Sequence, residues 1–166
     1  MREFYALYGG LLAAVCERYV VDAEDVKDVL QDAMVQIFSH RSDFHYRGPG
    51  SLRAWAVRIA VNQSLQFLRT VRRHEWVELQ RDVAEEPEAD DPPIAHIPPE
   101  EIQRMVSQLP TGYRTVFNLY VFEDKSHQEI ARMLGIKERS SASQLCRAKN
   151  LIARMIQQYN ENQQSQ

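Results

Sequence analysis

The sequence has only two cysteines, and it lacks the short motifs on which most enzymes and metal sites depend. Cys16 and Cys146 lie far apart, with no CxxC pair and no histidine at ligand spacing, so neither a disulfide nor a metal site is expected. A glycine-rich phosphate loop, an HExxH motif and a nucleophile elbow are also missing. We therefore expect no catalytic activity and no cofactor.

Long hydrophobic runs are missing as well. No apolar stretch approaches the ~20 residues that a membrane-spanning helix needs. The first residues do not show the basic, apolar and small-residue order of a signal peptide. We therefore expect a soluble, cytoplasmic protein with no direct membrane insertion.

Proline and acidic residues are concentrated in one stretch, from Asp82 to Glu101. It holds five of the seven prolines and eight acidic residues, and it has no Lys or Arg. Because helix interiors reject proline and like charges repel, this stretch is expected to be extended, flexible and solvated. It divides the chain into a first domain at 1–81, a linker at 82–100, a second domain at 101–160 and a tail at 161–166.

The net charge of −3 hides an uneven distribution. The acidic stretch contributes −8, which leaves +5 for the rest of the chain, and most of the remaining arginines lie in two segments, 40–81 and 137–156. Local fields, rather than the net charge, attract polyanions. Two basic surfaces on one tether are therefore expected, and such a chain can bind two separated parts of one DNA site.

The periodicity is helical throughout. Apolar residues recur at spacings of three and four, and no segment shows the strict alternation of a strand. The predicted helices cover 4–19, 26–38 with Asp22 as N-cap, 51–71, 102–109, 113–122, 127–134 and a last one from about 138 to 156. The predicted fold class is therefore all-α.

The most specific local signal lies at the start of the helix that follows residue 125. Ser126 and Glu129 form a capping box, and Gly135 is a natural left-handed helix end. A short capped helix, a turn and a basic helix are typical of a helix-turn-helix. The polar face of the last helix then offers hydroxyls for phosphate and long side chains for base edges: Ser140, Ser141, Ser143, Gln144, Arg147 and Lys149. The alternative is an ordinary helical hairpin with a solvated basic face.

The segment from Ser51 to His74 combines aromatic residues with arginines and amides. Aromatic surfaces beside arginine suit unpaired bases, since stacking contributes ~1–3 kcal/mol per base and arginine holds phosphates. Trp55 can equally be a core residue. The arginines at the end of this helix favour binding, although cations there also complement the helix dipole.

The helix after Asp22 has a different character. Its predicted exposed face carries Asp28, Gln31 and Asp32 beside the apolar Leu30 and Met34, a mixed surface that suits a protein partner. A merely solvated face is the simpler interpretation from periodicity alone.

Four segments, taken in chain order, resemble the sigma factors of the extracytoplasmic-function group, the compact specificity subunits of bacterial RNA polymerase. They are DVLQDAMVQIF at 28–38, SLRAWAVRIAVN at 51–62 with FLR at 67–69, the block at 109–136 that contains YRTVF and SHQEIA, and SQLCRAK at 143–149. The resemblance covers nearly the whole chain. It implies a region 2-like domain and a region 4-like helix-turn-helix domain, joined by the flexible acidic linker.

The resemblance also implies three sets of functional residues. The set that docks the clamp coiled coil of core polymerase is Asp28, Leu30, Gln31 and Asp32. The set beside the melted minus-ten strand is Trp55, Arg58, Asn62, Gln66, Arg69, Arg72 and Arg73. The set that meets the minus-thirty-five duplex is Ser140, Ser141, Ser143, Gln144, Cys146, Arg147 and Lys149.

The predicted function is that of a sigma factor. It would bind core RNA polymerase through the clamp coiled coil and the flap, recognise promoter DNA and help to melt it, and be held inactive by an anti-sigma factor. Two alternatives stay open on the sequence. One is a helix-turn-helix regulator that does not bind core polymerase, and the other is a helical interaction protein whose basic faces serve only solubility.

Overall fold

The structure, a computed structural model, describes residues 2–82, 84–90, 94 and 96–165. These residues form helices and no strand, which confirms the all-α prediction. The helices are α1 (Arg2–Tyr19), α2 (Ala23–Ser39), α3 (Ser51–Thr70), α4 (Arg73–Leu79), α5 (Pro99–Ser107), α6 (Thr111–Val121), α7 (His127–Leu134) and α8 (Glu138–Gln164), with a 3-10 turn at Arg41–Asp43. The chain forms two compact units, Met1–Arg73 and His74–Gln166.

The first unit packs α1, α2 and α3 against one another. Asp22 caps α2 as predicted, because its side chain accepts hydrogen bonds from the backbone N–H groups of Glu24 and Asp25. The core is formed by apolar residues from all three helices: Leu12, Val15, Cys16 and Tyr19; Val29, Ala33 and Ile37; Ala56, Ala60, Leu65 and Leu68. The faces of α2 and α3 that point away from this core are exposed and available for binding.

The second unit contains the predicted helix-turn-helix, α7 and α8. Both halves of the capping box are present between Ser126 and Glu129, and Gly135 ends α7 in the left-handed conformation at φ 67°. Ile130 and Leu134 of α7 are buried in the same unit as Leu145 and Ala148 of α8. Both helix-end predictions are therefore confirmed.

Helix α4 was not predicted from the sequence. Its seven residues are too few to show a periodic pattern, and a helix this short depends on tertiary packing, which here buries Trp76 and Leu79. It belongs almost entirely to the second unit, so the structure divides the chain after Arg73 rather than after residue 81. Similarly, α8 extends to Gln164 and takes in most of the predicted tail.

A buried arginine joins α5 to α6. Arg114 donates from Nη1 to the backbone carbonyl of Leu109 at 2.7 Å, just beyond the C-terminal end of α5. Helix ends leave carbonyls without intrahelical partners, and a charged donor satisfies them well. This contact holds the start of α6 to the residues that follow α5, and α6 in turn packs on α8.

Candidate nucleic-acid and protein interfaces

The exposed side of α2 carries the four residues predicted to dock polymerase. Asp28, Gln31 and Asp32 are exposed, and Leu30 is half-buried. Leu30 and Gln31 line an apolar groove of about 750 Å³ between α1 and α2. The rest of its wall was not identified from the sequence, apart from Met34: Arg2, Tyr5, Ala6, Lys27, Met34, Val35, Phe38 and Ser39. The face therefore combines carboxylates with an open apolar groove.

The predicted minus-ten residues on α3 share one face of the helix. Arg58, Asn62, Gln66 and Arg69 are all exposed, and their spacing of three and four residues places them in one row. Trp55 heads the row but is half-buried, because its ring packs against Phe44 with 5.4 Å between centroids. It is thus part of both the packing and the exposed face.

Arg72 and Arg73 at the end of the row differ from each other. The Nε of Arg72 donates to Asp25 Oδ2 at 3.1 Å, so this guanidinium is paired with α2 within the first unit. Arg73 begins α4 and is exposed. A contact of Arg72 with DNA would have to compete with Asp25, and the role of both arginines stays a prediction.

The polar face predicted on α8 is not open. Four of its predicted DNA-contacting residues are buried: Ser140, Ser141, Ser143 and Gln144. Gln144 is only 1% exposed and donates from Nε2 to the carbonyl of Leu79 at 2.8 Å, while Ser141 shares a hydrogen bond with His127 Nδ1 at 2.9 Å. The expectation of an exposed face at these positions is therefore wrong for this arrangement of the chain, and their contact with DNA stays a prediction.

Part of what covers the face is the linker itself. The acidic segment, by which we mean Asp82 and residues 84–90, lies along the N-terminal half of α8. Its carboxylates pair with cations of α8 and of the turn before it: Asp82 with Lys137 at 3.1 Å, Glu85 with Arg139 at 3.6 Å, Glu86 with Arg147 at 3.1 Å and Glu88 with Lys149 at 2.6 Å. The expectation that the whole linker is solvated is therefore wrong for these residues, although they form neither helix nor strand.

Hydrogen bonds to the linker backbone complete this contact. Asn150 donates from Nδ2 to the carbonyl of Pro87 at 2.9 Å, and its Oδ1 accepts from the N–H of Ala89 at 2.8 Å. The Sγ of Cys146 donates to the carbonyl of Glu86 at 3.2 Å. Sequence reasoning missed Asn150, because an amide that binds backbone leaves no charge or hydrophobic pattern.

Ser140 and Lys137 also set the charge of the first acid in the segment. Ser140 Oγ donates to Asp82 Oδ1 at 2.5 Å, and together with the bond from Lys137 this holds the pKa of Asp82 below its ordinary value. Hydrogen bonds to a carboxylate favour its ionised form. Asp82 therefore remains an anion at every pH at which the protein would work.

The two cysteines are both free thiols. Cys16 is buried in the first unit and Cys146 is half-buried on α8. Within the described ranges, no group of three or more His, Cys, Asp or Glu side chains could hold a metal ion. Nor does any helix in that part of the chain have the length and apolar character to cross a bilayer.

His127 couples the two helices of the helix-turn-helix. Its ring stacks on Tyr120 with 4.9 Å between centroids and shares the hydrogen bond with Ser141. Partial burial lowers the pKa of His127 from its ordinary value of 6.5. Well above pH 6.5 the ring is neutral in both the folded and the unfolded chain. As the pH falls through 6.5, the unfolded chain takes the proton first, so stability falls.

We therefore expect the second unit to lose stability as the pH drops from about 7.5 to about 5.5, and part of this loss to vanish in His127→Gln. Thermal unfolding at a series of pH values measures it. The exposed His45, in the first unit, gives a matched control as His45→Gln, which should keep the wild-type slope. A wild-type slope in His127→Gln would contradict the assignment.

Two family models match the sequence in chain order. Sigma-70 region 2 matches residues 4–74, and Sigma-70, region 4 matches residues 99–152. The first match ends at the limit of the first unit, and the second lies within the second unit and contains the helix-turn-helix.

Similar proteins carry related names. The ECF RNA polymerase sigma factor SigM of Mycobacterium tuberculosis is 31% identical over 136 residues, 81% of this chain and 65% of that protein. The chain thus spans slightly less than two thirds of that relative's length. The RNA polymerase sigma-H factor of Pseudomonas aeruginosa is 28% identical over 151 residues, 84% of this chain and 77% of that protein.

A solved structure has the same fold. It is the sigma factor RpoE of Bartonella quintana, determined in complex with the anti-sigma factor NepR, with a TM-score of 0.56 and 19% identity. The similarity covers 94% of this chain and 96% of that one. Because the two sigma-70 family models follow each other along most of the sequence, and the similar proteins are named as RNA polymerase sigma factors, SigM as one of the ECF group, the chain belongs to the extracytoplasmic-function group of sigma-70 family sigma factors.

Proposed function

We propose that this protein directs core RNA polymerase to promoters and assists promoter melting. The observation that carries the proposal is the pair of family matches in chain order, region 2 on residues 4–74 and region 4 on residues 99–152. A protein with this role has no catalytic centre of its own and works where the polymerase is, in the bacterial cytoplasm.

The first unit would bind polymerase with α2 and melted DNA with α3. The apolar groove beside Leu30, bordered by the exposed Asp28 and Asp32, is the kind of surface that protein partners bury. On α3 the exposed row of Arg58, Asn62 and Arg69 can hold the backbone of a single strand, and the ring of Trp55 lies at its end. These features support the assignment of the two faces to different partners.

The second unit would read the minus-thirty-five duplex with α8. Lys137, Arg147 and Lys149 supply phosphate or base contacts, and Gln144 has the side chain that pairs with adenine in a major groove. The same face of α8 would be lost to DNA if another protein covered it. We further propose an anti-sigma factor as a partner, which is supported by the complex in which the similar Bartonella quintana RpoE was solved.

The function is tested by transcription with bacterial core polymerase on a library of genomic fragments. The wild-type chain should give defined start sites, and Arg147→Ala should weaken use of the selected promoters, since a lost base contact costs ~1–3 kcal/mol, roughly 5- to 150-fold. The loss should fall toward the lower end of this range. Arg147 also pairs with Glu86 at 3.1 Å, so its removal loosens the acidic segment and partly uncovers the face of α8 that would bind DNA.

Arg154→Ala provides the matched control. Arg154 lies two turns further along α8 and is exposed. It should leave the promoter footprint unchanged. A footprint that Arg147→Ala also leaves unchanged would contradict the minus-thirty-five assignment, and failure of the wild-type chain to give any start site would refute the function.

A further inference from the structure

The face of α8 proposed to read DNA is already occupied by the chain's own residues. Five of the seven predicted minus-thirty-five residues contact the stretch from Leu79 to Glu88, which consists of the end of α4 and the acidic segment. They are Ser140, Gln144, Cys146, Arg147 and Lys149. All of these contacts lie within the second unit.

We propose that the acidic segment is a competitive inhibitor, in cis, of duplex binding by α8: it occupies the DNA-reading face and must leave before DNA can bind. The inference rests on the proposed function, specifically on the assignment of α8 to the minus-thirty-five duplex. Beyond that function, the inference assigns to the isolated protein a closed state that binds DNA poorly.

The chemistry of the segment fits a substitute for DNA. Carboxylates and phosphates both accept charge-assisted hydrogen bonds from Arg and Lys, and the guanidinium fork suits either anion. Arg147 is held by the segment through two of its three guanidinium nitrogens, with Nη1 3.1 Å from Glu86 Oε1 and Nε 3.0 Å from the carbonyl of Ala84. It would have to give up these two contacts to present its fork to a base or a phosphate.

The closed state does not depend on surface charge alone. Exposed ion pairs such as Glu85–Arg139 contribute little on their own. Asn150, however, is buried and binds the segment's backbone through both its Nδ2 and its Oδ1, at Pro87 and Ala89. This amide clamp fixes where the segment lies: three ion pairs precede it along the segment, and that of Glu88 lies between its two contacts.

Occupation of the face is also steric. Gln144 must reach a groove edge to read a base, yet it is 1% exposed and bonded to the carbonyl of Leu79. Ser140, near the N-terminus of α8, is covered by Asp82. Ser140 cannot touch DNA while Asp82 remains in place, and Gln144 cannot do so while the end of α4 remains in place.

The test compares duplex binding by the full-length wild type with that of D82N/E86Q/E88Q. The probe is a labelled duplex of random sequence, used at one low salt concentration, because the proposed block acts on phosphate contacts as well as base contacts. If the open form makes up on the order of a tenth of the wild-type protein, release should tighten binding roughly tenfold, since the apparent affinity scales with the open fraction.

A matched control separates release from a general gain of positive charge. D90N/E100Q/D124N removes three negative charges from the same unit, at exposed positions whose carboxylates form no ion pair with α8 in the part of the chain that the structure describes. Asp90 is the last residue of the acidic segment and lies beyond its last ion pair, at Glu88. It should tighten binding much less than D82N/E86Q/E88Q does. Equal tightening in the two variants would overturn the proposal.

Reaction of Cys146 with a maleimide gives a second measurement that involves no DNA. Its Sγ lies under the carbonyl of Glu86, so it should react faster when the segment leaves, by a factor similar to the gain in open form, roughly tenfold. Cys16 serves as an internal reference, because it is fully buried in the other unit and burial raises the pKa of its thiol to about 11.

The combined outcomes distinguish the inference from the function beneath it. Faster Cys146 labelling together with tighter duplex binding supports the inference. Faster labelling with duplex binding no tighter than in D90N/E100Q/D124N overturns it, because the segment would then move without excluding DNA. If neither the wild type nor any variant binds duplex even at this low salt concentration, the assignment of α8 to DNA fails and the inference fails with it.

Discussion

Reversing two charges on α2 should abolish binding to core polymerase. Asp28→Arg with Asp32→Arg places two cations on the exposed face beside the apolar groove, where the proposed partner surface would meet carboxylates. Losing complementary charges at a protein interface and adding repulsion costs about 3 kcal/mol or more, which is over a hundredfold in affinity. Pull-down or anisotropy with purified core enzyme, without any inhibitor, measures the change.

The control for this experiment is Glu17→Arg. Glu17 is exposed on α1 but does not line the groove, so its reversal changes the charge of the same unit away from the proposed interface. Binding to core polymerase should stay near the wild-type value. If the double variant of α2 also bound core polymerase normally, the docking face would be wrongly placed, and the helix-turn-helix regulator would regain support.

Truncation of one core residue should unfold the second unit at moderate temperature. Ile130 is 0% exposed and belongs to α7, which packs on both α6 and α8. Ile130→Ala removes three carbons from a closed core, for which the usual loss is about 2–5 kcal/mol in the free energy of unfolding. In a unit of this size each 1 kcal/mol shifts Tm by roughly 4–8 °C, so a drop of about 10 °C or more is expected.

Calorimetry of the full chain can assign this drop to one unit. The transition of the second unit should move, and that of the first, which shares no core residue with it, should stay. Val121→Ala is the matched control, because Val121 is 48% exposed at the end of α6 and its truncation should shift Tm little. A small shift for Ile130→Ala would mean that α7 is not part of the unit's core.

The helices and their ends were largely predictable. Asp22, Ser126 and Gly135 each carry a local chemistry that favours one helix boundary, and the apolar stripes of α1, α2 and α3 have the helical period. The exposed residues on α2 and α3 followed from the same stripes, since they fall on the opposite faces. These inferences need no knowledge of distant contacts.

The arrangement around α8 could not be predicted in the same way. The pattern of polar residues along a helix is the same whether water or another polar segment covers that face. Ser140 and Gln144 were therefore expected to be exposed. The acidic segment was expected to be solvated because its composition rejects helix and strand, but composition does not exclude binding to a basic surface. Helix α4 was missed because its apolar residues, Trp76 and Leu79, mark only one turn of periodicity.

The contact between α4 and α8 in the closed state leaves one buried oxygen atom without a hydrogen bond. Gln144 Oε1 is buried, and no described residue offers it a hydrogen bond; a Cβ on Gly112 would lie only 2.8 Å from it. A buried acceptor left unsatisfied costs about 1–3 kcal/mol, which cancels much of what the neighbouring Gln144–Leu79 bond contributes. The contact between Gln144 and Leu79 is therefore a weak point of the closed state, and moving the end of α4 away from α8 costs less free energy than breaking a fully satisfied contact would.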